Sequence, residues 1–264
     1  MINDNNKPVD LVSGHGDDQN VCEALIGNTD FVNDKPSLSV IFPAFNEVDN
    51  IAQAISEARC SFINYFDPIQ FLVVDDGSTD GTTELIRKIA AEADDVVALH
   101  HPKNRGYGAA LRTGIANSTN ELIFFTDSDL QFDMNEIKHL REWIHGYELV
   151  AGYRVDRADP WHRRFNAWGW NMLVRVTLGV KVRDIDCAFK LFRADIFEQI
   201  QLTSIGAMVN TELLAYMKKL NMRLREVPVQ HYPRTAGEQS GANLRVIIKA
   251  LHELNRIFWV LRRK

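Results

Sequence analysis

The chain has 264 residues, of which 45% are hydrophobic and 25% charged, enough to bury the core of one domain or slightly more. Its formal net charge of -5 argues against a protein that coats nucleic acid, because phosphate backbones require a basic surface. The three cysteines form no C-x-x-C pair, which favours buried thiols over a disulfide framework or a zinc site.

The N-terminal segment, residues 1–36, is polar and acidic and lacks the basic start and apolar centre of a signal peptide. Its composition predicts a disordered tail. No later stretch reaches the roughly 18 consecutive apolar residues of a membrane-spanning helix. The folded part of the chain is therefore expected to begin at about residue 37.

From Ser37 onward, short apolar runs alternate with longer amphipathic segments, as is typical of α/β proteins. Apolar strands separated by helices predict a Rossmann-like, mostly parallel sheet with helices on both faces, which binds ligands beyond the carboxyl ends of its strands. The predicted strands are residues 38–45, 69–76, 96–101, 120–129 and 147–154, and the predicted helices are residues 48–64, 82–93 and 107–118.

Polar clusters follow three of these strands. "PAFNE" offers Phe45 and Glu47 after the first strand, and "DDGSTDG" offers Asp75 and Asp76 after the second. Turns rich in Asp and Gly are common wherever a strand leads into a helix, so the second motif alone is weak. Together the clusters indicate a polar site at one edge of the sheet.

The third cluster, "DSD", places Asp127 and Asp129 one residue apart after a buried apolar strand. Strand alternation would direct both carboxylates to the same side. Such hard oxygen ligands suit Mg²⁺ or Mn²⁺, which would offset their repulsion and bridge to a diphosphate. The alternative is that one of them only caps a local turn.

The glycine pattern does not fit a dehydrogenase. A dinucleotide site needs G-x-G-x-x-G directly after the first strand, where this chain has "PAFNEVDN". Gly106, Gly108 and Gly114 occur later and at another spacing, and the chain has no P-loop motif. The sheet is therefore expected to bind a different ligand.

The motifs "VIFPAFNE", "VVDDGSTDGT", "NRGYGAALRTG" and "FFTDSDLQ", in this order, resemble the N-terminal half of a family 2 glycosyltransferase of GT-A fold. The downstream segments "AGYR", "RDIDCAFKLFR", "EVPVQHYPR" and "RTAGEQSG" are similar to the polyprenyl-phosphate branch of that family, to which dolichol-phosphate mannose synthase belongs. The resemblance extends from Ser37 to Ser240, which implies one glycosyltransferase domain over residues 37–240, followed by a helical segment over residues 241–264.

This resemblance implies a nucleotide-sugar donor and a divalent cation, Mg²⁺ or Mn²⁺. Asp127 and Asp129 match the metal-binding D-x-D motif, and the cation would neutralise the leaving nucleoside diphosphate. Carboxylates also accept hydrogen bonds from base and ribose donors. The implied nucleotide-sugar-binding residues are Pro43, Phe45, Glu47, Asp75, Asp76, Arg105, Gly106, Asp127, Ser128 and Gln131.

A polyprenyl phosphate acceptor is already an anion, so the site needs cations rather than a general base. Arginine forks suit phosphate oxygens. By resemblance, Arg154 and Arg234 are catalytic together with Asp129, and the acceptor phosphate is bound by Arg163, Arg164 and Arg234.

The chain departs from the family pattern at several positions. Ala167 replaces a frequent serine, Asp186 stands where a small hydroxyl residue is usual, and the segment from Arg234 to Ser240 is stretched and lacks a lysine. Glu212 lies near the acidic base of relatives that use hydroxyl acceptors, although it could equally be the first-turn acid of a helix.

The C-terminal segment combines an apolar stripe at helical spacing with basic residues and Trp259, the composition of an interfacial membrane anchor. A helix that packs on the core or on a partner subunit is the equal alternative. The Trp-rich segment over residues 159–180 likewise fits either a membrane interface or the wall of an acceptor groove.

We therefore expect an inverting glycosyltransferase that moves a hexose to a polyprenyl phosphate, attached peripherally to the cytoplasmic face of the membrane. One alternative is transfer to a saccharide or protein hydroxyl, with Glu212 or Asp186 as base. The other is a nucleotide-sugar-binding adaptor without turnover. The sugar, the base and the oligomeric state stay open.

Overall fold

The computed structural model describes residues 35–155, 161–233 and 244–262. Within these ranges, the side chains of residues 161–167 and 244–249 are not described. The predicted tail, up to residue 34, and the predicted phosphate ligand Arg234 lie outside the described residues.

A seven-stranded sheet in the order β3-β2-β1-β4-β6-β5-β7 forms the centre of the described chain. Strand β1 pairs in parallel with β2 and β4, and β2 pairs in parallel with β3. Strand β6 is antiparallel to both of its neighbours, whereas β5 and β7 are parallel. The strands are β1 Leu38–Ala44, β2 Ile69–Asp75, β3 Val96–His100, β4 Leu122–Phe125, β5 Leu149–Val155, β6 Lys190–Arg193 and β7 Leu224–Gln230.

The α-helices in the described residues begin and end within a few residues of their predicted bounds where a prediction was made. No bounds were predicted for strands β6 and β7 or for helices α4, α5 and α6, because β6 and α4 are short and the later region shows no clear alternation. The helices are α1 Ile51–Phe62, α2 Thr82–Glu92, α3 Tyr107–Asn117, α4 Ile137–Arg141, α5 Trp161–Leu178, α6 Met208–Lys219 and α7 Leu244–Arg262.

The core lies on both faces of the central strands. Phe124 of β4 is fully buried and meets Phe62 and Phe189 edge to face, with ring centroids 5.3 and 4.7 Å apart. Burying an aromatic side chain of this size contributes about 1.5–3 kcal/mol. This packing gives the loops at the carboxyl ends of β1, β2 and β4 a rigid base.

Strand β4 ends at Phe125, four residues earlier than predicted, so Asp127 and Asp129 lie in a loop rather than on a strand. The strand alternation used to align them therefore does not apply. Leu130, the next residue, has a φ of 60° in the left-handed region and turns the chain away.

Cysteine burial is only partly as expected, since Cys187 is buried but Cys60 is exposed; both are free thiols. Among the described helices, none combines the length and the apolar character needed to cross a bilayer.

Candidate active site

A cleft of about 900 Å³ opens at the carboxyl ends of β1, β2 and β4. It collects most of the predicted donor residues from four separate segments, one after each of the strands β1 to β4. The predicted residues that line it are Pro43, Phe45, Glu47, Asp76, Gly106, Asp127, Ser128 and Asp129, and the other lining residues are Ala44, Asn46, Asn104, Tyr107, Ala110, Asp186, Ala188, Ala207 and Asn210.

The first loop, Phe45 to Glu47, is locked to the loop after β2. The Asn46 amide donates to the Ser78 hydroxyl and its side-chain oxygen accepts from the Thr79 amide, both at 2.9 Å. Asn46 adopts a φ of 57°, a conformation that asparagine tolerates better than most residues. The turn leaves Phe45 44% exposed at the cleft and Glu47 nearly buried.

Asp76 organises the neighbouring wall of the cleft. Its carboxylate accepts hydrogen bonds from the backbone amides of Arg105 and Gly106 at 2.9 and 2.7 Å, and lies 2.6 Å from Nδ1 of His101. It is only 3% exposed. Asp76 therefore fixes the start of α3, and the Arg105 side chain is exposed and does not line the cleft.

Asp75 does not line the cleft either. It accepts from the Ser78 amide at 3.0 Å and from the Thr83 hydroxyl, and lies 2.8 Å from Nδ1 of His100. Burial opposes its ionisation, but these hydrogen bonds prevail and lower the pKa of Asp75. In this structure Asp75 holds the turn that leads into α2.

Asp127 and Asp129 both face the cleft, and Asp129 is 8% exposed. Burial and the repulsion of Asp129 raise the pKa of Asp127 to about 7. The nearby Tyr107, Arg154 and Lys190 act in the opposite direction. Negative charge concentrated in a partly dry cleft is what a divalent cation would stabilise.

The loop that carries these carboxylates is tied down on both sides. Ser128 donates to the Pro43 carbonyl at 3.1 Å, and the Gln131 side chain donates to the Tyr232 carbonyl at 2.9 Å. Gln131 does not line the cleft, and its backbone amide donates to the Asp129 carboxylate at 3.2 Å. Gln131 therefore positions the loop and joins it to the end of β7.

Arg154 forms a two-pronged ion pair with Asp184, with Nε and Nη2 at 2.7 and 2.8 Å from the two carboxylate oxygens. Burial disfavours the charged guanidinium, but Asp184 outweighs it and raises the pKa of Arg154. Arg154 does not line the cleft, and its predicted catalytic role and phosphate contact stay predictions.

Lys190 is a buried charge that sequence reasoning missed. Its ammonium is fully buried and donates to the carbonyls of Ile185 and Cys187 and, at 3.2 Å, to the Asn210 side chain. Burial lowers the pKa of Lys190. Asn210 lines the cleft, so Lys190 supports its floor from beneath. A lysine within the apolar run "CAFKLF" was the available signal.

Glu212 fits neither predicted role. It is 2% exposed and does not line the cleft, which removes it from the position of a general base. It also lies beyond the first turn of α6, and its carboxylate accepts from the amides of Thr203 and Ser204 at 3.0 and 2.7 Å. Asp186, in contrast, is exposed and lines the cleft.

Tyr107 is the other missed residue with a reactive group. Its hydroxyl is buried beside Asp127, and burial together with the charge of Asp127 raises its pKa well above the usual range. It directly follows Gly106 in the "NRGYG" motif, which was the signal for it. The predicted Arg163 and Arg164 lie in α5, but their side chains are outside the described residues.

Helix α7 packs mainly against α6, with a smaller contact to α5. Leu254 and Ile257 are 4% and 1% exposed, whereas Leu251 and Trp259 are 46% and 57% exposed. The alternative of packing on the core is therefore correct for one face of α7, and a second apolar surface stays open.

The described residues contain no group of three or more His, Cys, Asp or Glu side chains arranged around a common metal position. Asp127 and Asp129 fit a cation that takes its remaining ligands from diphosphate oxygens and water, as Mg²⁺ commonly does.

Comparison with known proteins shows the family to which the chain belongs. The family model for glycosyl transferase family 2 matches residues 39–201. The dodecaprenyl-phosphate galacturonate synthase of Rhizobium johnstonii is 30% identical over 225 residues, 83% of this chain and 65% of that protein. The undecaprenyl-phosphate 4-deoxy-4-formamido-L-arabinose transferase of Aeromonas hydrophila is 30% identical over 224 residues, 82% of this chain and 66% of that protein. The chain thus spans about two thirds of the length of these relatives.

Solved structures agree in fold. Glucosyl-3-phosphoglycerate synthase from Mycobacterium tuberculosis, in complex with Mn²⁺, UDP and glucosyl-3-phosphoglycerate, has a TM-score of 0.65 at 20% identity, over 86% of this chain and 80% of that chain. Its complex with Mg²⁺ and UDP has a TM-score of 0.64 at 21% identity, over 91% and 84%. The expected GT-A fold is confirmed, and the chain belongs to glycosyl transferase family 2.

Proposed function

We propose that this protein is a metal-dependent inverting glycosyltransferase that moves a hexose from a nucleotide sugar to a polyprenyl phosphate. The observation that carries the proposal is the pair Asp127 and Asp129 facing one cleft together with Phe45, Glu47 and Asp76. The names of the polyprenyl-phosphate relatives support the acceptor class. The UDP complexes of the structural neighbours support the donor class.

In this proposal Asp127 and Asp129 hold Mg²⁺ or Mn²⁺, and the cation supplies charge neutralisation for the leaving nucleoside diphosphate. Phe45 and Glu47 receive the base and ribose at the mouth of the cleft. Asp76 acts indirectly, because its oxygens already hold the amides at the start of α3. Arg163, Arg164 and Arg234 remain the proposed ligands of the acceptor phosphate.

We place the reaction at the cytoplasmic face of the membrane, with the protein bound peripherally. Support comes from exposed apolar side chains on adjacent helices, Trp168, Met172 and Val176 of α5 and Leu251 and Trp259 of α7. The three on α5 are spaced by four residues and therefore share one helical face. Such a surface suits a lipid interface.

The test incubates the purified protein with Mg²⁺ or Mn²⁺, short polyprenyl phosphate and a panel of UDP- and GDP-sugars, followed by mass spectrometry of the lipid. We expect one glycosylated lipid, which disappears with EDTA and with Asp129→Ala. The matched control is Asp195→Ala, which removes an exposed carboxylate paired with Arg193 and should retain transfer. Donor binding without any lipid product would refute the acceptor assignment.

A hydroxyl acceptor is the second candidate, favoured by Asp186, an exposed carboxylate that lines the cleft. Were Asp186 a general base, Asp186→Asn would abolish transfer to a saccharide while sparing donor binding. Under the polyprenyl phosphate proposal, the same variant should retain transfer to the lipid. Binding of donor and metal with neither transfer nor hydrolysis would instead indicate an adaptor.

A further inference from the structure

Three helices converge on one residue outside the cleft, Thr203. Arg112 of α3 donates to its carbonyl at 3.2 Å. Glu212 of α6 accepts from its amide and its hydroxyl at 3.0 and 2.6 Å. Arg256 of α7 donates to the same hydroxyl at 2.7 Å. The position of Thr203 is therefore fixed from three sides.

The next residue repeats the arrangement. The Ser204 amide donates to Glu212 at 2.7 Å, and its hydroxyl accepts from Arg256 at 3.2 Å. Glu212 is 2% exposed, and a buried carboxylate is costly unless it is fully hydrogen bonded. Arg256 thus anchors α7 to the residues that satisfy Glu212.

The segment Thr203–Gly206, here named the bridging segment, contacts the cleft wall on its other side. The Ile205 carbonyl accepts from the amides of Gly108 and Ala109 at 2.9 and 3.3 Å. These amides belong to the first turn of α3, whose N-cap residue Gly106 provides no side-chain cap. The bridging segment therefore supplies a cap that the local sequence lacks.

The contact between the bridging segment and the start of α3 leaves no room for a Cβ atom. A Cβ atom on Gly108 would lie 2.6 Å from the Ser204 carbonyl oxygen, and one on Gly106 would collide with the Ile205 carbonyl oxygen. Gly106, Tyr107 and Ala110 line the cleft. Because packing this close transmits displacement, a shift of the bridging segment moves the cleft wall.

We propose that Arg256 is a positioning residue for donor binding: by seating α7 on the bridging segment, it holds the cleft wall at Gly106 and Tyr107 in its binding position. The effect on the donor rests on the proposed function, whereas the effect on the wall does not. Helix α7 carries part of the exposed apolar surface and also contacts the bridging segment. The position of α7 on that segment therefore influences donor affinity although α7 lies outside the cleft.

The test compares the full chain with Arg256→Gln and Arg256→Lys. The matched control is Arg262→Gln on the same helix, whose guanidinium carbon lies 4.1 Å from the Phe258 ring centroid. Hydrogen exchange followed by mass spectrometry should show the first turn of α3 exchanging about tenfold faster in Arg256→Gln, since losing both hydrogen bonds of this exposed arginine together should weaken closure by about that factor. Arg262→Gln should match the wild type, and Arg256→Lys should restore part of the protection.

The same proteins are then titrated with UDP and with GDP, each with Mg²⁺. We expect Arg256→Gln to weaken whichever nucleotide binds by about five- to tenfold. Thr203→Val, which keeps the arginine but removes the shared hydroxyl, should act in the same direction and guards against misfolding of the first variant.

Unchanged exchange in the first turn of α3 for both Arg256→Gln and Thr203→Val would overturn the positioning role. Faster exchange with unaltered nucleotide affinity would overturn the link to the donor. A wild-type protein that binds neither nucleotide would refute the proposed function instead, and the exchange data alone would then decide the role of Arg256 at the cleft wall.

Discussion

The two halves of the sheet hold the cleft in different ways. In the N-terminal half, up to β4, polar side chains at the ends of adjacent parallel strands bond to nearby backbone amides, as Asp75 and Asp76 do. In the C-terminal half, charged side chains such as Arg154 and Lys190 join segments that are remote in sequence or buried beneath the floor. The first kind of support consists of carboxylates that accept from backbone amides, whereas the second consists of buried cations whose partners are a carboxylate, carbonyl oxygens and an asparagine side chain. Mutations of these supporting side chains should therefore lower the free energy of unfolding more in the C-terminal half than in the N-terminal half.

The largest effect is expected for Lys190→Met, which keeps the volume but leaves the carbonyls of Ile185 and Cys187 and the Asn210 side chain without their donor. Each buried acceptor left without its donor costs about 1–3 kcal/mol, so we expect the three together to cost at least about 3 kcal/mol in the free energy of unfolding. Urea denaturation measures it. The exposed Lys181→Met is the control, and a loss below about 1 kcal/mol for Lys190→Met would contradict the comparison.

The Arg154–Asp184 pair should follow. Asp184→Asn retains the shape but removes the charge facing a guanidinium that is 15% exposed, and we expect a loss of about 1.5–3 kcal/mol. Asp195→Asn breaks an ion pair whose side chains are 48% and 53% exposed, so its cost should be about 0–1 kcal/mol. Equal losses in the two variants would show that burial does not set the difference.

In the N-terminal half, Asp75→Asn should cost about 1–2 kcal/mol and leave nucleotide affinity unchanged, because Asp75 does not line the cleft. The pKa of Asp75 is lowered in the folded protein, so its contribution is present above its unfolded pKa, about 4, and is lost as the pH falls through the folded value. Denaturation of both proteins across pH 7 to 3 should show the gap narrowing in acid. A gap that widened in acid would reverse the assigned sign.

Asp76→Asn sharpens this contrast and serves as its control, since Asp76 holds the amides of Arg105 and Gly106 at the cleft wall. It should weaken binding of UDP or GDP as well as stability. Weakened nucleotide binding in Asp75→Asn and not in Asp76→Asn would exchange the roles assigned to the two residues.

The smallest change in stability is expected on the open face of α7. Trp259→Ser should alter the free energy of unfolding by less than about 0.5 kcal/mol, because the side chain is 57% exposed, yet it should reduce sedimentation with anionic lipid vesicles. Leu254→Ala, on the buried face, should lower the free energy of unfolding and leave vesicle binding unchanged. Undiminished vesicle binding by Trp259→Ser would remove this surface from the membrane contact.

Prediction from sequence succeeded where a motif contains its own geometry. "PAFNE" and "DSD" follow apolar strands, and parallel strands bring their ends together, so Glu47, Asp127 and Asp129 meet in one cleft. Prediction was less successful where the neighbours of a residue are far from it in the sequence. Asp75 and Asp76 are adjacent in sequence, but only Asp76 lines the cleft.

The C-terminal half was harder for a physical reason. Strand β6 has only four residues, and the ammonium of its lysine is buried against the carbonyls of the preceding loop and the side chain of Asn210, 20 residues further on, which no periodicity reveals. Glu212 resembled a catalytic base by its position in the sequence, but its carboxylate accepts hydrogen bonds from the backbone amides of Thr203 and Ser204. The contacts that decide these roles arise only when the chain has folded.

The position of β6 between β4 and β5 also bears on how the chain folds during synthesis. The four strands up to β4 can pair as soon as Phe125 has left the ribosome, because each of them has a partner among these four. One edge of β4 then waits until Lys190–Arg193 are made. An unpaired strand edge invites association with other chains. Nascent chains halted between these two points carry that open edge, and we expect them to aggregate more readily than chains in which β6 has been made.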